Sequence, residues 1–188
     1  NYYNAMCVGA PQSAPFSGSA VSGADFNYAQ SISSSIQVIG KGSVAPEGLS
    51  VVVDITHSYR GDVIIELTSP SGTKAELKGF DGGDSSEDVN ETYVLSGVSG
   101  EPIAGDWQLT VSDGFEDDDG VFNGWSLAGI ELTPPRTVEG SAAPEMSFDD
   151  TSPTTSQIQL IAEGTVSPDE FEVEVNITHS YRSDVVLE

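Results

Sequence analysis

Residues 49–56 read Leu49-Ser50-Val51-Val52-Val53-Asp54-Ile55-Thr56. Leu49, Val51, Val53 and Ile55 recur at every second position, which puts all four on one face of an extended strand. The chain supplies its own comparison further on, where residues 171–178 read Phe171-Glu172-Val173-Glu174-Val175-Asn176-Ile177-Thr178. The apolar positions are kept there, while Glu174 and Asn176 stand where Val52 and Asp54 stand. A sheet with one face on a core and the other in water tolerates such exchanges on its wet face only.

The two strands belong to a longer repeat. Residues 36–66 and 158–188 align without a gap at an offset of 122, with 17 of 31 positions identical. The chain therefore holds two copies of one module. A module of about 100 residues plus a linker fits that period. Segment 1–25 is rich in Gly, Ala, Ser and Pro and is expected to be a linker or the tail of something upstream. Segment 133–157 reads as a second, Pro-rich linker. Between them, 26–132 is expected to be one complete domain, and 158–188 the front part of another.

Inside 26–132 the strand signals are short and regular. Asp62–Thr68 is a strand, Ser69-Pro70-Ser71-Gly72 a turn in which Pro presets φ, and Thr73–Leu77 the return. Further strands are expected at Glu91–Leu95, Trp107–Ser112 and Trp125–Leu132. No segment keeps a helical period. The reading is an all-β fold, an antiparallel two-sheet β-sandwich of jelly-roll-like form. Trp107, Trp125 and Tyr59 are expected in its core.

The 30 acidic and 6 basic residues give a net charge of −24. That argues against nucleic acid and anionic membrane surfaces as partners, since both need Lys/Arg patches. Such acidity suits a secreted bacterial protein or one from a salty habitat. Cys7 is the single cysteine and has no partner for an internal disulfide. No catalytic residues are expected. His57 and His179 are the only histidines, at equivalent positions of the two copies, and no G-x-S-x-G or H-E-x-x-H occurs. His57 reads as a hydrogen-bonded histidine at a strand end. Arg60-Gly61-Asp62 spells an adhesion tripeptide, but the second copy reads Arg182-Ser183-Asp184, so the shared feature is Arg and Asp.

Charge concentrates in two loops, 81–91 and 113–123, each with five carboxylates and no cation. A hard cation takes six to eight oxygen ligands, and such loops offer them. Asp113, Asp117 and Asp119 are the first candidates to hold Ca²⁺, and Asp81, Asp84 and Asp88 the second. The alternative is that both loops are simply solvated.

Four ordered motifs carry a family resemblance. They are Ile55-Thr56-His57-Ser58-Tyr59-Arg60-Gly61-Asp62, Leu67-Thr68-Ser69-Pro70-Ser71-Gly72-Thr73, Gly105-Asp106-Trp107-Gln108-Leu109-Thr110-Val111-Ser112-Asp113, and Asp119-Gly120-Val121-Phe122-Asn123-Gly124-Trp125-Ser126-Leu127. Together they resemble the P domain (P/Homo B domain) of proprotein convertases and of secreted bacterial subtilisin-like proteases. Phe122 departs from that family's usual Leu. The resemblance implies a non-catalytic sandwich that assists folding, stability or maturation of a protease catalytic domain in the same chain. It also implies a secreted, extracellular setting. Two other roles compete: a substrate- or surface-binding module anchoring a secreted hydrolase to insoluble protein or polysaccharide, and a structural spacer in a repeat array. The incomplete second copy adds an expectation of self-association through 158–188, because unpaired strands with an apolar face are templates for pairing.

Overall fold

The computed structural model describes the chain except residues 1, 10, 136, 144–148, 150, 152–153, 161–165, 182, 184 and 188; for 2–9 and 166–171 it describes the backbone only. Eleven strands are assigned among the described residues: β1 (Tyr2–Gly9), β2 (Gln12–Asn27), β3 (Ile32–Val38), β4 (Ser43–His57), β5 (Val63–Thr68), β6 (Lys74–Lys78), β7 (Val89–Leu95), β8 (Gly105–Asp113), β9 (Asp119–Thr133), β10 (Thr137–Ala142) and β11 (Val166–Asn176). They fall into two compact units. One is Gln12–Thr133; the other combines Asn1–Pro11 with Pro134–Glu188.

The Gln12–Thr133 unit is an all-β sandwich. One sheet has the order β2-β9-β4-β7 and the other β3-β8-β5-β6, with every neighbouring pair antiparallel. The alternation read from residues 49–56 sets the inner face. Leu49, Val51, Val53 and Ile55 are buried, whereas Val52 and Asp54 are exposed. From the facing sheet, Val63, Ile65, Leu67, Leu109 and Val111 close the core. Fully burying one such side chain contributes about 1.5–3 kcal/mol. Trp107 and Trp125 are both buried, and each indole N–H has a partner: Trp107 Nε1 donates to Ile103 O at 3.0 Å, and Trp125 Nε1 to Ser34 Oγ at 3.1 Å. Among the described residues no helix is long and apolar enough to cross a membrane.

Three expectations need correction. Tyr59 is not a core residue; its side chain is 47% exposed on the loop after β4. Its ring lies past the end of the strand, beyond the alternation that turns side chains inward. Residues 12–25 are not a linker but most of β2, which pairs with β9 from Gln12↔Thr133 to Asn27↔Asp119. The stretch looks like a linker because, apart from Phe16, its inward positions are small: Gly18, Ala20, Ser22 and Ala24. Gly18 lies so close to Ile36 that any Cβ there would collide with that side chain. Small residues here let the strand approach, and their composition hides its period. The expected linker 133–157 likewise contains a strand, β10, and the other expected linker contains β1.

The second unit holds a three-stranded antiparallel sheet of order β10-β1-β11. Arg182 and Asp184, the counterparts of Arg60 and Asp62, lie outside the described residues.

Candidate functional site

The residues of the first motif converge where β4 ends. His57 is the last residue of β4, and a single 3-10 turn over Arg60–Asp62 leads into β5. Backbone groups of this turn hold both acidic loops. Arg60 N donates to Ser86 O at 2.7 Å and Gly61 N to Asp84 O at 3.1 Å. In return, Asp81 N donates to Gly61 O at 2.8 Å and Asp88 N to His57 O at 2.9 Å. The other loop is tied by Gly114 N, which donates to Asp62 O at 2.7 Å, and by Ser58 Oγ, which donates to Asp118 Oδ1 at 2.9 Å. Gly61 is fixed by space, since a Cβ would collide with the carbonyl oxygens of Asp81 and Asp84.

His57 is buried at the centre of this clamp. Its ring stacks on Phe26 with centroids 5.7 Å apart. Tyr59 N–H donates to Nδ1 at 3.1 Å, which makes Nδ1 an acceptor and assigns the proton to Nε2. Nε2 then donates to Asp113 Oδ2 at 3.3 Å, with both side chains wholly buried. Asp62 is 8% exposed beside them. Burial, reinforced by the charge of Asp113, pushes the Asp62 carboxyl above its ordinary value.

Arg60 adds a charged tie to the same clamp. Arg60 Nε lies 3.0 Å from Asp84 Oδ2, and the guanidinium also binds Glu91. Hydrogen bonds from Arg60 and Tyr93 hold the Glu91 carboxyl below its ordinary value. Bonds from Ser86, followed by the charge of Arg60, do the same for Asp84. Lys78 Nζ donates to Val63 O at 3.1 Å, and burial lowers its affinity for a proton.

The carboxylates considered for Ca²⁺ are thereby distributed rather than gathered. Asp113 serves His57 and accepts Phe115 N–H at 2.9 Å. Asp81 accepts Gly83 N–H, Asp84 accepts Ser86 N–H, and Asp88 accepts His57 N–H. Asp117, on the other loop, and Asp119, at the start of β9, are both exposed. Among the described residues no group of three or more His, Cys, Asp or Glu side chains is placed to hold a metal ion.

The second motif closes the opposite side of β5. Ser69, Ser71 and Thr73 all donate hydroxyl hydrogen bonds to the Glu101 carboxylate, Ser69 at 3.1 Å and Thr73 at 2.7 Å. Three hydroxyls on one acceptor fasten the turn to the loop before β8. Glu101 itself carries no sequence signal, because it stands outside every motif and about 30 residues from its partners.

These motif residues are what the comparisons match. Residues 46–128 match the family model described as the proprotein convertase P-domain. This segment is a P domain. Its relatives are proteases of several kinds. The chain is 40% identical over 90 residues to the transglutaminase-activating metalloprotease of Streptomyces mobaraensis, covering 48% of this chain and 12% of that protein. It is 37% identical over 99 residues to leupeptin-inactivating enzyme 1 of Streptomyces exfoliatus, covering 53% of this chain and 22% of that one. It is 42% identical over 69 residues to proprotein convertase subtilisin/kexin type 5 of Rattus norvegicus, covering 36% of this chain and 4% of that one. The P domain thus spans under a quarter of the length of these relatives. The crystal structure of the Aeromonas sobria serine protease with the chaperone ORF2 superposes with a TM-score of 0.50 at 18% identity, over 68% of this chain and 27% of that one. At that identity the likeness concerns the fold.

Proposed function

We propose that the P domain is a non-catalytic accessory module of a secreted protease, acting in the same chain as a catalytic domain to support its folding, stability or maturation. The observation that carries this reading is the match of residues 46–128 to the family, with the motif residues engaged in holding loops. The state of His57 supports it. Both ring nitrogens are hydrogen-bonded and the side chain is buried, which leaves no free base for a nucleophile. The resemblance points to a serine-type catalytic domain, while one relative is named a metalloprotease, so the test begins from that relative. The catalytic domain of the Streptomyces mobaraensis enzyme, prepared without its P domain, is refolded with and without the present chain. More recovered activity with the chain than with an unrelated β-sandwich is expected, and casein hydrolysis by the chain alone is not. Equal recovery, or casein hydrolysis lost on His57→Ala, overturns the reading.

One observation favours a surface-binding role beside it. Tyr59, Phe80 and Phe115 are 47%, 51% and 56% exposed on the loops that the clamp holds. Exposed rings on rigid loops are contact points for a protein surface.

A further inference from the structure

The sheet β10-β1-β11 repeats the sheet β2-β9-β4 strand for strand at the offset of 122 found in the sequence. In the P domain, β9 lies between β2 and β4. Trp125 is opposite Ala20 and Val53, Leu127 opposite Gly18 and Val51, and Gly129 opposite Phe16 and Leu49. In the other unit, β1 lies between β10 and β11. Tyr3 is opposite Ala142 and Val175, Ala5 opposite Gly140 and Val173, and Cys7 opposite Val138 and Phe171. Adding 122 to the β1 numbers of the second set, and subtracting 122 from its β10 and β11 numbers, gives the first. The irregularity agrees too. The register of β4 against β9 shifts between Val44 and Leu49, and that of β11 against β1 shifts between Val166 and Phe171, the corresponding positions. A slip of one residue would turn every side chain to the other face, so coincident registers with a coincident bulge are not a chance docking of a loose end. A contact outside the ladder repeats as well. Gly18 has no room for a Cβ because of Ile36, and Gly140 has none because of Ile158 and Leu160. Ile158 is Ile36 displaced by 122.

We propose that residues 1–11 are a closing strand of this repeat, the counterpart of 123–133, and that the slot between β10 and β11 is a receptor for that strand. The sequence of residues 1–11 agrees at low resolution: Asn1 matches Asn123, Tyr3 stands at the aromatic position of Trp125, and Val8 at that of Ile130. In the front of the second P-domain copy, the place that β9 takes between β2 and β4 is taken by Tyr2–Gly9. The occupant of the slot is Tyr2–Gly9, and the partner it stands for is the closing strand of any copy of the module. The inference rests on the repeat and its register, not on the accessory role, so the two stand or fall separately.

The test uses the full chain and Ala5→Pro. Proline in the central strand of three removes a ladder hydrogen bond, at a position outside the Gln12–Thr133 unit. Amide hydrogen exchange is read by mass spectrometry at low protein concentration. The amides of β10 and of 171–176 are expected to exchange about tenfold faster or more in the variant, while those of β8 and β9 are unchanged. A synthetic peptide of residues 1–11 is then expected to restore slow exchange, as is one of residues 123–133. A peptide of scrambled 123–133 is not. Equal exchange in the two proteins overturns the proposal. So does rescue by neither peptide, by 1–11 alone, or by the scrambled peptide.

Discussion

At the scale of single residues, Asp62 is the side chain whose environment works against folding. It is buried beside Asp113, and its carboxyl is raised above the ordinary value mainly by burial. A raised carboxyl disfavours the folded state once it must ionise. The penalty is absent below the ordinary carboxylate value of about 3.9 and is complete above the raised value. Asp62→Asn therefore stabilises the P domain at pH 7 and has little effect near pH 3. Thermal melts of the two proteins at both pH values check this; equal melting temperatures at pH 7 would refute it. Little of this is visible in the sequence. His57 at a strand end invites a structural reading, and the structure agrees with that reading. Its partner Asp113 is another matter, since 56 residues separate the two and only the pairing of β5 with β8 brings them together. Tyr59 shows the opposite failure. Its identity suggests a core residue, while its position past the end of β4 decides otherwise.

Among elements, the 3-10 turn and the loop 81–88 act as one unit, because four backbone hydrogen bonds join residues 57–61 to that loop. Gly61 is where they touch most closely. Gly61→Ala forces the carbonyls of Asp81 and Asp84 away and weakens the bonds of Gly61 with them, at a cost of about 1–3 kcal/mol, typical of overpacking. Urea unfolding of the variant measures that loss, with an unchanged midpoint as the contrary result. Element by element, strands with a wet face and a dry face were plain in the sequence: β4, β5, β7, β8 and β9 lie where alternation and turn residues put them. β1, β2 and β10 were hidden. In β2 and β10 glycines replace the apolar signal, at Gly18 and Gly140, where packing leaves no space for a side chain. A pattern read from hydrophobicity alone does not register a strand made for close approach.

For the whole molecule, the pairing of β11 changes what self-association means. An unpaired second copy would seek residues 67–132 of its own or another chain; instead β11 lies against β1. With β1 seated, both long sides of that central strand are used and the two flanking strands each keep one partner. Removing β1 leaves β10 and β11 with unpaired edges and nothing between them, which is the condition for pairing with another chain. A net charge of −24 opposes that association, and the opposition weakens as salt shortens the screening length to about 3 Å at 1 M. Ala5→Pro is therefore expected to form larger species as its concentration rises, more readily at high salt, while the unaltered chain keeps one mass throughout. The variant shortened to end at Thr133 lacks β10 and β11 and is expected to stay monomeric with or without the proline. Light scattering on the four proteins across concentration and salt decides the matter. Association of the shortened proline variant would place the sticky surface in the P domain itself, and a single mass for Ala5→Pro at every condition would show that the slot does not drive association when open.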